Sequence, residues 1–112
     1  MPDDVALDPT RRELVHRAVS VLRLLAEPTR LAILDLLMTQ EMPVNAIAEA
    51  VDRPVPAVSQ HLAKLRAGGL VVTRREGTSV FYSQPDAHIA QLVTHVLRHA
   101  EHELYEVPPH HR

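Results

Sequence analysis

Residues 44–69 read VNAIAEAVDRPVPAVSQHLAKLRAGG and decide the fold. Apolar residues recur at helical spacing on either side of the turn Asp52-Arg53-Pro54, which predicts a short helix over 44–51 and a second helix over about 55–67. Gly68-Gly69 ends the second helix. A short helix, a tight turn and a second helix with a polar outer face form a helix-turn-helix, whose second helix can enter the major groove of DNA.

The second helix has one face for the core and another for a partner. Val58, Leu62 and Leu65 recur at i, i+4 and i+7 and predict its buried face. Gln and Ser side chains can hydrogen-bond to base edges, so we expect the polar residues away from that face to reach bases or phosphates. Those residues are Ser59 at the boundary, Gln60, His61 and Lys64.

After Gly69 the pattern changes from helix to strand. Residues 70–75 and 79–83 are rich in β-forming residues and are separated by Glu76-Gly77-Thr78, which predicts a β-hairpin. Arg74 and Arg75 lie near its tip, so the hairpin suits a wing that contacts backbone phosphates or the minor groove.

Positive charge is concentrated in this part of the chain. Five basic and no acidic residues occur between Arg53 and Arg75, although the whole chain has a formal net charge of −2. A local basic segment in an acidic protein is a candidate nucleic-acid-binding face. The alternative interpretation is an ordinary solvated basic face.

The remaining segments predict three more helices. One begins at about Thr10 and ends before Pro28, and another starts at Glu27-Pro28, where an early proline costs no hydrogen bond. The last helix runs from Asp86, a suitable N-cap, to about Tyr105. We therefore expect a mainly α fold with a small β-hairpin, organised as a flexible N-terminal arm (1–9), one winged helix-turn-helix domain (10–105) and a His-containing C-terminal tail (106–112).

Composition narrows the possible functions. One Phe, two Tyr and no Trp in 112 residues indicate an aliphatic core, which suits helices. The chain has no run of about 20 apolar residues and its acidic start lacks the basic segment of a signal peptide, so we expect no membrane partner and a cytoplasmic protein. The lack of Cys excludes thiolate chemistry, and it leaves carboxylates and eight His as the strong metal ligands.

Four candidate metal ligands lie in the last helix, at Asp86, His88, His99 and His102. On a helix His88 and His99 share a face to within about 20° but lie about 16 Å apart, too far for one cation to bridge. An antiparallel helix from a second subunit would bring His88 of one chain beside His99 and His102 of the other, and two-fold symmetry would generate two sites. The alternative is a solvated His-rich helix that Asp86 merely caps.

The helix order, the wing, the stretch 26–34 (AEPTRLAIL) and the run 58–62 (VSQHL) together resemble the ArsR/SmtB family of winged-helix repressors, over about residues 11–105. The resemblance implies a homodimer formed through the terminal helices. Such a dimer binds operator DNA when metal-free and is released when metal binds, which derepresses a metal efflux gene. Two recognition helices related by a dyad imply an imperfect palindrome as the operator, with half-sites about one helical turn apart.

The resemblance also bears on the metal. Family members that sense arsenic, cadmium or lead have cysteines where this chain has Glu41 to Ala46, whereas the pattern Asp86-x-His88 with His99-x-x-His102 matches the members that bind zinc, cobalt or nickel. Three imidazoles and one carboxylate suit tetrahedral zinc or cobalt, but nickel and cobalt accept additional nitrogen and oxygen donors.

Extra donors would come from the end of the chain. His110 and His111 could fold back at Pro108-Pro109, as terminal ligands do in nickel- and cobalt-responsive family members, so we rank nickel and cobalt before zinc as effector. Glu101 could add an oxygen, although helix geometry points it away from the ligand face.

Two other functions remain open from the sequence. One is a winged-helix regulator that responds to a non-metal signal, and the other is a metal buffer or delivery protein without sequence-specific DNA binding. An enzyme is not expected, because the chain has no Cys, no Ser/His/Asp arrangement and no recognisable catalytic motif.

Overall fold

The computed structural model describes residues 8–106 and has the expected winged helix-turn-helix architecture. Within these residues, five helices and a small three-stranded antiparallel sheet form one domain. The elements in chain order are α1 (Pro9–Leu25), α2 (Pro28–Leu36), β1 (Met42–Pro43), α3 (Val44–Val51), α4 (Val55–Ala67), β2 (Val72–Glu76), β3 (Ser79–Ser83) and α5 (Ala87–Glu106).

Carboxylate caps set where the first two helices begin. The Asp8 Oδ1 atom accepts a hydrogen bond of 2.7 Å from the Arg11 N–H, so α1 starts one residue before the predicted Thr10. The Glu27 Oε1 atom accepts one of 2.8 Å from the Arg30 N–H, with Pro28 in the first turn of α2 as predicted.

The sheet contains the predicted hairpin and one strand that the sequence did not reveal. Strands β2 and β3 pair antiparallel around a turn in which Gly77 has a φ of 62°, a conformation that favours glycine. Strand β1 adds to the other edge of β3, with Met42 opposite Tyr82. A two-residue strand that ends in proline has no periodicity to detect, but it joins the wing to the helical body.

The core lies where α2, α3 and α4 meet, and the predicted inner face of α4 is confirmed. Val58, Leu62 and Leu65 are each 0% exposed. Because this face is fixed in the core, the opposite face of α4 must point to solvent. The side chains that complete the buried cluster are Leu25, Ile33, Leu34, Leu37, Ile47, Ala48, Leu70, Val71 and Val93.

The terminal helices α1 and α5 keep apolar surface outside this core. Their exposed apolar residues are Leu14, Val15, Val19 and Leu22 on α1, and Val96, Leu104 and Tyr105 on α5. The radius of gyration is 17.3 Å, compared with about 13 Å for a compact domain of 100 residues. Both observations indicate that a single chain leaves its terminal helices incompletely packed. No helix in residues 8–106 is long and apolar enough to cross a membrane.

Truncation of a core side chain tests this packing. Leu34 is 0% exposed, so we expect Leu34→Ala to lower the free energy of unfolding by about 2 to 5 kcal/mol through the cavity it leaves. Urea denaturation at one fixed protein concentration measures the change. Val55, at 39% exposure, is the control, and Val55→Ala should cost less than about 1 kcal/mol. Equal costs for the two variants would contradict this description of the core.

Candidate nucleic-acid interface and metal-ligand helix

The outer face of α4 presents polar side chains as the sequence predicts. Gln60 and Lys64 are exposed on the side opposite the buried face, Ser59 is exposed at the boundary of that face, and the last turn carries Arg66 as a further cation. No ion pair involves Lys64 in the part of the chain that the structure describes. These side chains are placed to meet a polyanion, and their role in base or phosphate contacts stays a prediction.

His61 differs from that expectation because it does not point freely into solvent. Its side chain is 21% exposed and lies against the start of α2. Its Nδ1 atom is 3.3 Å from Nη1 of Arg30 and 3.8 Å from Oε1 of Glu27. The hydrogen bond from the Arg30 backbone N–H, and secondarily the nearby His61, lowers the pKa of Glu27 below its ordinary value.

Arg74 in the wing is held by two carboxylates. Its Nε and Nη2 atoms donate to Glu41, with the Nε bond to Oε1 at 3.1 Å, and its Nη1 atom donates to Glu76 at 3.0 Å. The guanidinium carbon lies 4.9 Å from the centre of the Phe81 ring. The hydrogen bond to Glu41 raises the pKa of Arg74, and the same bond lowers the pKa of Glu41.

Arg75, the next residue, is exposed and makes no ion pair within the described residues. Because side chains alternate along a strand, it points to the other face of β2 from Arg74. The two arginines, which have the same predicted role, therefore differ in their surroundings. Arg74 already shares its charge with two carboxylates, whereas Arg75 is available to a phosphate. Glu76 is visible two residues along the same strand, but Glu41 is 33 residues away and no sequence pattern links it to the wing.

Helix α5 positions the predicted metal ligands. The Asp86 Oδ1 atom accepts hydrogen bonds from the N–H groups of His88 at 2.9 Å and Ile89 at 3.4 Å, so its predicted capping role is confirmed. His88, His99 and His102 are exposed, and the Nε2 atom of His99 lies 3.6 Å from Oε2 of Glu103, a neighbour that sequence reasoning did not assign to this histidine.

One chain does not gather these ligands. Within residues 8–106 no three His, Asp or Glu side chains are close enough to hold a metal ion. This agrees with the helical separation of about 16 Å between His88 and His99. Glu101 is exposed on the same helix, and His110 and His111 lie outside the described residues. The quartet as a metal site stays a prediction that requires a second chain.

Comparison with known proteins places the chain among DNA-binding regulators. The family model "Helix-turn-helix domain" matches residues 25–74. The HTH-type transcriptional regulator KmtR of Mycobacterium tuberculosis is 47% identical over 97% of this chain and 84% of that protein. The HTH-type transcriptional repressor SmtB of the same species is 39% identical over 82% of this chain and 68% of that protein.

A solved structure supports the same placement. It is the homodimeric winged helix-turn-helix DNA-binding domain of a possible ArsR-family transcriptional regulator from Mycobacterium bovis. It is 34% identical, covers 92% of this chain and 95% of that chain, and superposes with a TM-score of 0.81.

The unequal wing arginines give a test of phosphate contact. We expect Arg75→Ala to reduce the slope of log affinity for duplex DNA against log salt concentration by about 2, because each of the two subunits of the dimer loses one phosphate contact. Arg74→Ala is the comparison variant: because Arg74 is already paired with Glu41 and Glu76, its slope should fall less than that of Arg75→Ala, even where loss of this wing contact lowers the affinity itself. The measurement is fluorescence anisotropy over a salt series, with a duplex selected by the protein from a random-sequence library. An equal loss of slope in both variants would contradict the assignment.

The pairing of Arg74 with Glu41 should depend on pH in a defined direction. Because the pKa of Glu41 is lowered, the pair is present at and above the ordinary value of 4.5 and is lost as the pH falls below it. The Nε–H resonance of Arg74 in an NMR titration reports the loss. In Glu41→Gln the main part of this transition should vanish. A transition centred above 4.5 would show that Arg74 does not stabilise the Glu41 carboxylate.

Proposed function

Because the chain belongs to the ArsR/SmtB family of winged helix-turn-helix transcriptional regulators, we propose that it is a metal-responsive repressor whose effector is nickel or cobalt, with zinc as the second candidate. The protein is a regulator and not an enzyme. As a homodimer in the cytoplasm it binds operator DNA, and metal binding releases it and derepresses a metal efflux gene.

The observation that carries the proposal is the coincidence of two features on α5. The helix bears Asp86, His88, His99 and His102, and it also keeps Val96, Leu104 and Tyr105 exposed. Apolar surface of this kind favours association with a second copy. An antiparallel pair of α5 helices would cover apolar surface and bring His88 of one subunit to His99 and His102 of the other.

The candidate ligands provide both oxygen and nitrogen donors. Asp86 uses Oδ1 to cap α5, which leaves its second oxygen for a metal ion. The exposed imidazoles supply nitrogen, and the absence of Cys removes any thiolate competitor. A nitrogen and oxygen donor set suits nickel, cobalt and zinc. Coordination beyond four, drawn from His110, His111 or Glu101, would favour nickel and cobalt.

DNA binding would use the outer face of α4 and the wing. Two copies of α4 related by a dyad would read an imperfect palindrome with half-sites about 34 to 36 Å apart. Ser59, Gln60, His61 and Lys64 would meet base edges or phosphates, and Arg75 would meet the phosphate backbone. Arg74 serves this interface mainly by fixing the wing to Glu41.

Metal and DNA would be coupled through the orientation of the two subunits. Only three residues separate the end of β3 from the start of α5, so the relative position of the α5 helices sets the relative position of the two DNA-binding faces. A metal ion that ties both subunits selects one orientation. A coupling free energy of about 3 kcal/mol would reduce operator affinity more than 100-fold, and by linkage DNA would weaken metal binding equally.

Mixed dimers provide a sharp test of the shared site. His88→Ala homodimers and His99→Ala/His102→Ala homodimers should each lack a complete site. A heterodimer of the two variants should regain one, because the double variant supplies His88 and its partner supplies His99 and His102. Cobalt titration followed by d–d absorption measures this, with each homodimer as control. Cobalt binding by either homodimer with the affinity of the unaltered protein would show that the metal site does not span two subunits.

The regulatory part of the proposal has its own test. Saturating nickel or cobalt should weaken binding to the selected duplex about 100-fold in the unaltered protein and less than about threefold in His88→Ala. In the absorption spectrum of the cobalt complex, weak d–d bands would indicate five or six ligands, and strong bands would indicate four. Unchanged DNA affinity in the presence of all three metals would identify a regulator with another signal. Metal binding without any affinity for DNA would identify a metal buffer.

A further inference from the structure

Arg30 of α2 contacts both the end of α1 and the recognition helix α4. From α2, its Nε atom donates a hydrogen bond of 2.6 Å to the carbonyl oxygen of Leu24, and its Nη2 atom donates one of 3.4 Å to that of Arg23. Its Nη1 atom lies 3.3 Å from Nδ1 of His61 in α4. The guanidinium is part-buried and its planar fork is fixed by the end of α1, so its third donor has a defined direction.

This contact determines where the proton of a neutral His61 sits. A guanidinium has only donors, so Nδ1 of His61 must accept the hydrogen bond and carry no hydrogen. The proton of the neutral imidazole is then on Nε2. Glu27 does not compete, since its Oε1 atom lies 3.8 Å from Nδ1, outside hydrogen-bond distance, and accepts instead from the Arg30 backbone.

We propose that Arg30 is a positioning residue that holds His61 in the Nε2–H tautomer and so gives α4 a fixed N–H donor for DNA. This inference rests on the proposed function, because it concerns how that regulator reads its operator. A fixed N–H donor selects acceptors, which in DNA are phosphate oxygens and, in the major groove, the N7 atoms of guanine and adenine, the O6 atom of guanine and the O4 atom of thymine. His61 remains 21% exposed at its side chain, which leaves part of the ring open to such an acceptor.

The first experiment reads the tautomer without DNA. A long-range proton–nitrogen NMR spectrum at about pH 8, well above the ordinary pKa of histidine, distinguishes protonated from unprotonated ring nitrogens. We expect His61 to be the Nε2–H tautomer in the unaltered protein. Arg30→Met, which removes all donors, should give a mixture of tautomers, and Arg30→Lys, which keeps a donor, should restore part of the preference. Arg17→Met is the control, since Arg17 is an exposed α1 arginine paired with Glu13.

The second experiment asks whether Arg30 acts through His61. Arg30→Met should weaken binding to the selected duplex about fourfold, because a mixture in which about half of the His61 rings are Nε2–H lowers the apparent affinity about twofold at each of the two α4 helices of the dimer. In a His61→Ala background the same change should leave the affinity unaltered. His61→Gln, whose amide can place an N–H near the position of Nε2, should bind better than His61→Asn. Thermal unfolding of each variant confirms that the compared proteins are folded.

Three results would overturn the inference. They are an Nδ1–H tautomer in the unaltered protein, an Arg30→Met penalty of equal size with and without His61, and His61→Ala binding as tightly as the unaltered protein. A protein that selects a duplex and responds to metal but shows any of these would defeat the inference alone. A protein with no affinity for any duplex would defeat the proposed function as well.

Discussion

The buried face of α4 is the constraint on which the rest of the structure depends. Val58, Leu62 and Leu65 are completely removed from solvent among side chains of α2 and α3. Each contributes about 1.5 to 3 kcal/mol of burial free energy, and rotation of the helix about its axis would expose all three. Their burial therefore fixes which residues of α4 can meet a partner. The polar face is an outcome of core packing, and the wing can complement it only because β1 and β3 hold the hairpin beside the same helical body.

The same packing leaves apolar surface on the terminal helices uncovered, and one of these helices carries the candidate metal ligands. A chain of 112 residues can form only a small core. In this structure the core is centred on α2, α3 and α4. Helix α1 and the C-terminal half of α5 retain apolar side chains that a single chain does not cover. A second copy is the simplest means of covering them. In the function that we propose, candidate metal ligands on such a helix would couple the occupancy of a metal site to the geometry of the dimer, as a sensor built from two identical chains requires.

Sequence reasoning succeeded where the signal is local and periodic. The face of α4, the hairpin, the start of α2 at Pro28 and the cap at Asp86 all follow from residues within a few positions of one another. It missed contacts between polar side chains distant in sequence. Arg74 and Glu41 are 33 positions apart and Arg30 and His61 are 31 apart, and neither pair belongs to a repeating pattern. These contacts decide which cations are available to DNA, so the list of candidate residues was easier to predict than the role of each.

Helix α2 packs against both α5, which carries the candidate metal ligands, and α4. The Gln84 side chain, two residues before Asp86, donates a hydrogen bond of 2.7 Å to the Leu34 carbonyl oxygen of α2. Four residues earlier on α2, Arg30 reaches His61 on α4. The side chains of Ile33 and Leu34 on this helix are fully buried. Because a close-packed helix resists local deformation, α2 would move as a unit. A shift of α5 would therefore reach α4 as a rigid displacement of its whole polar face, so the release that we propose would not require any part of the DNA-binding surface to unfold.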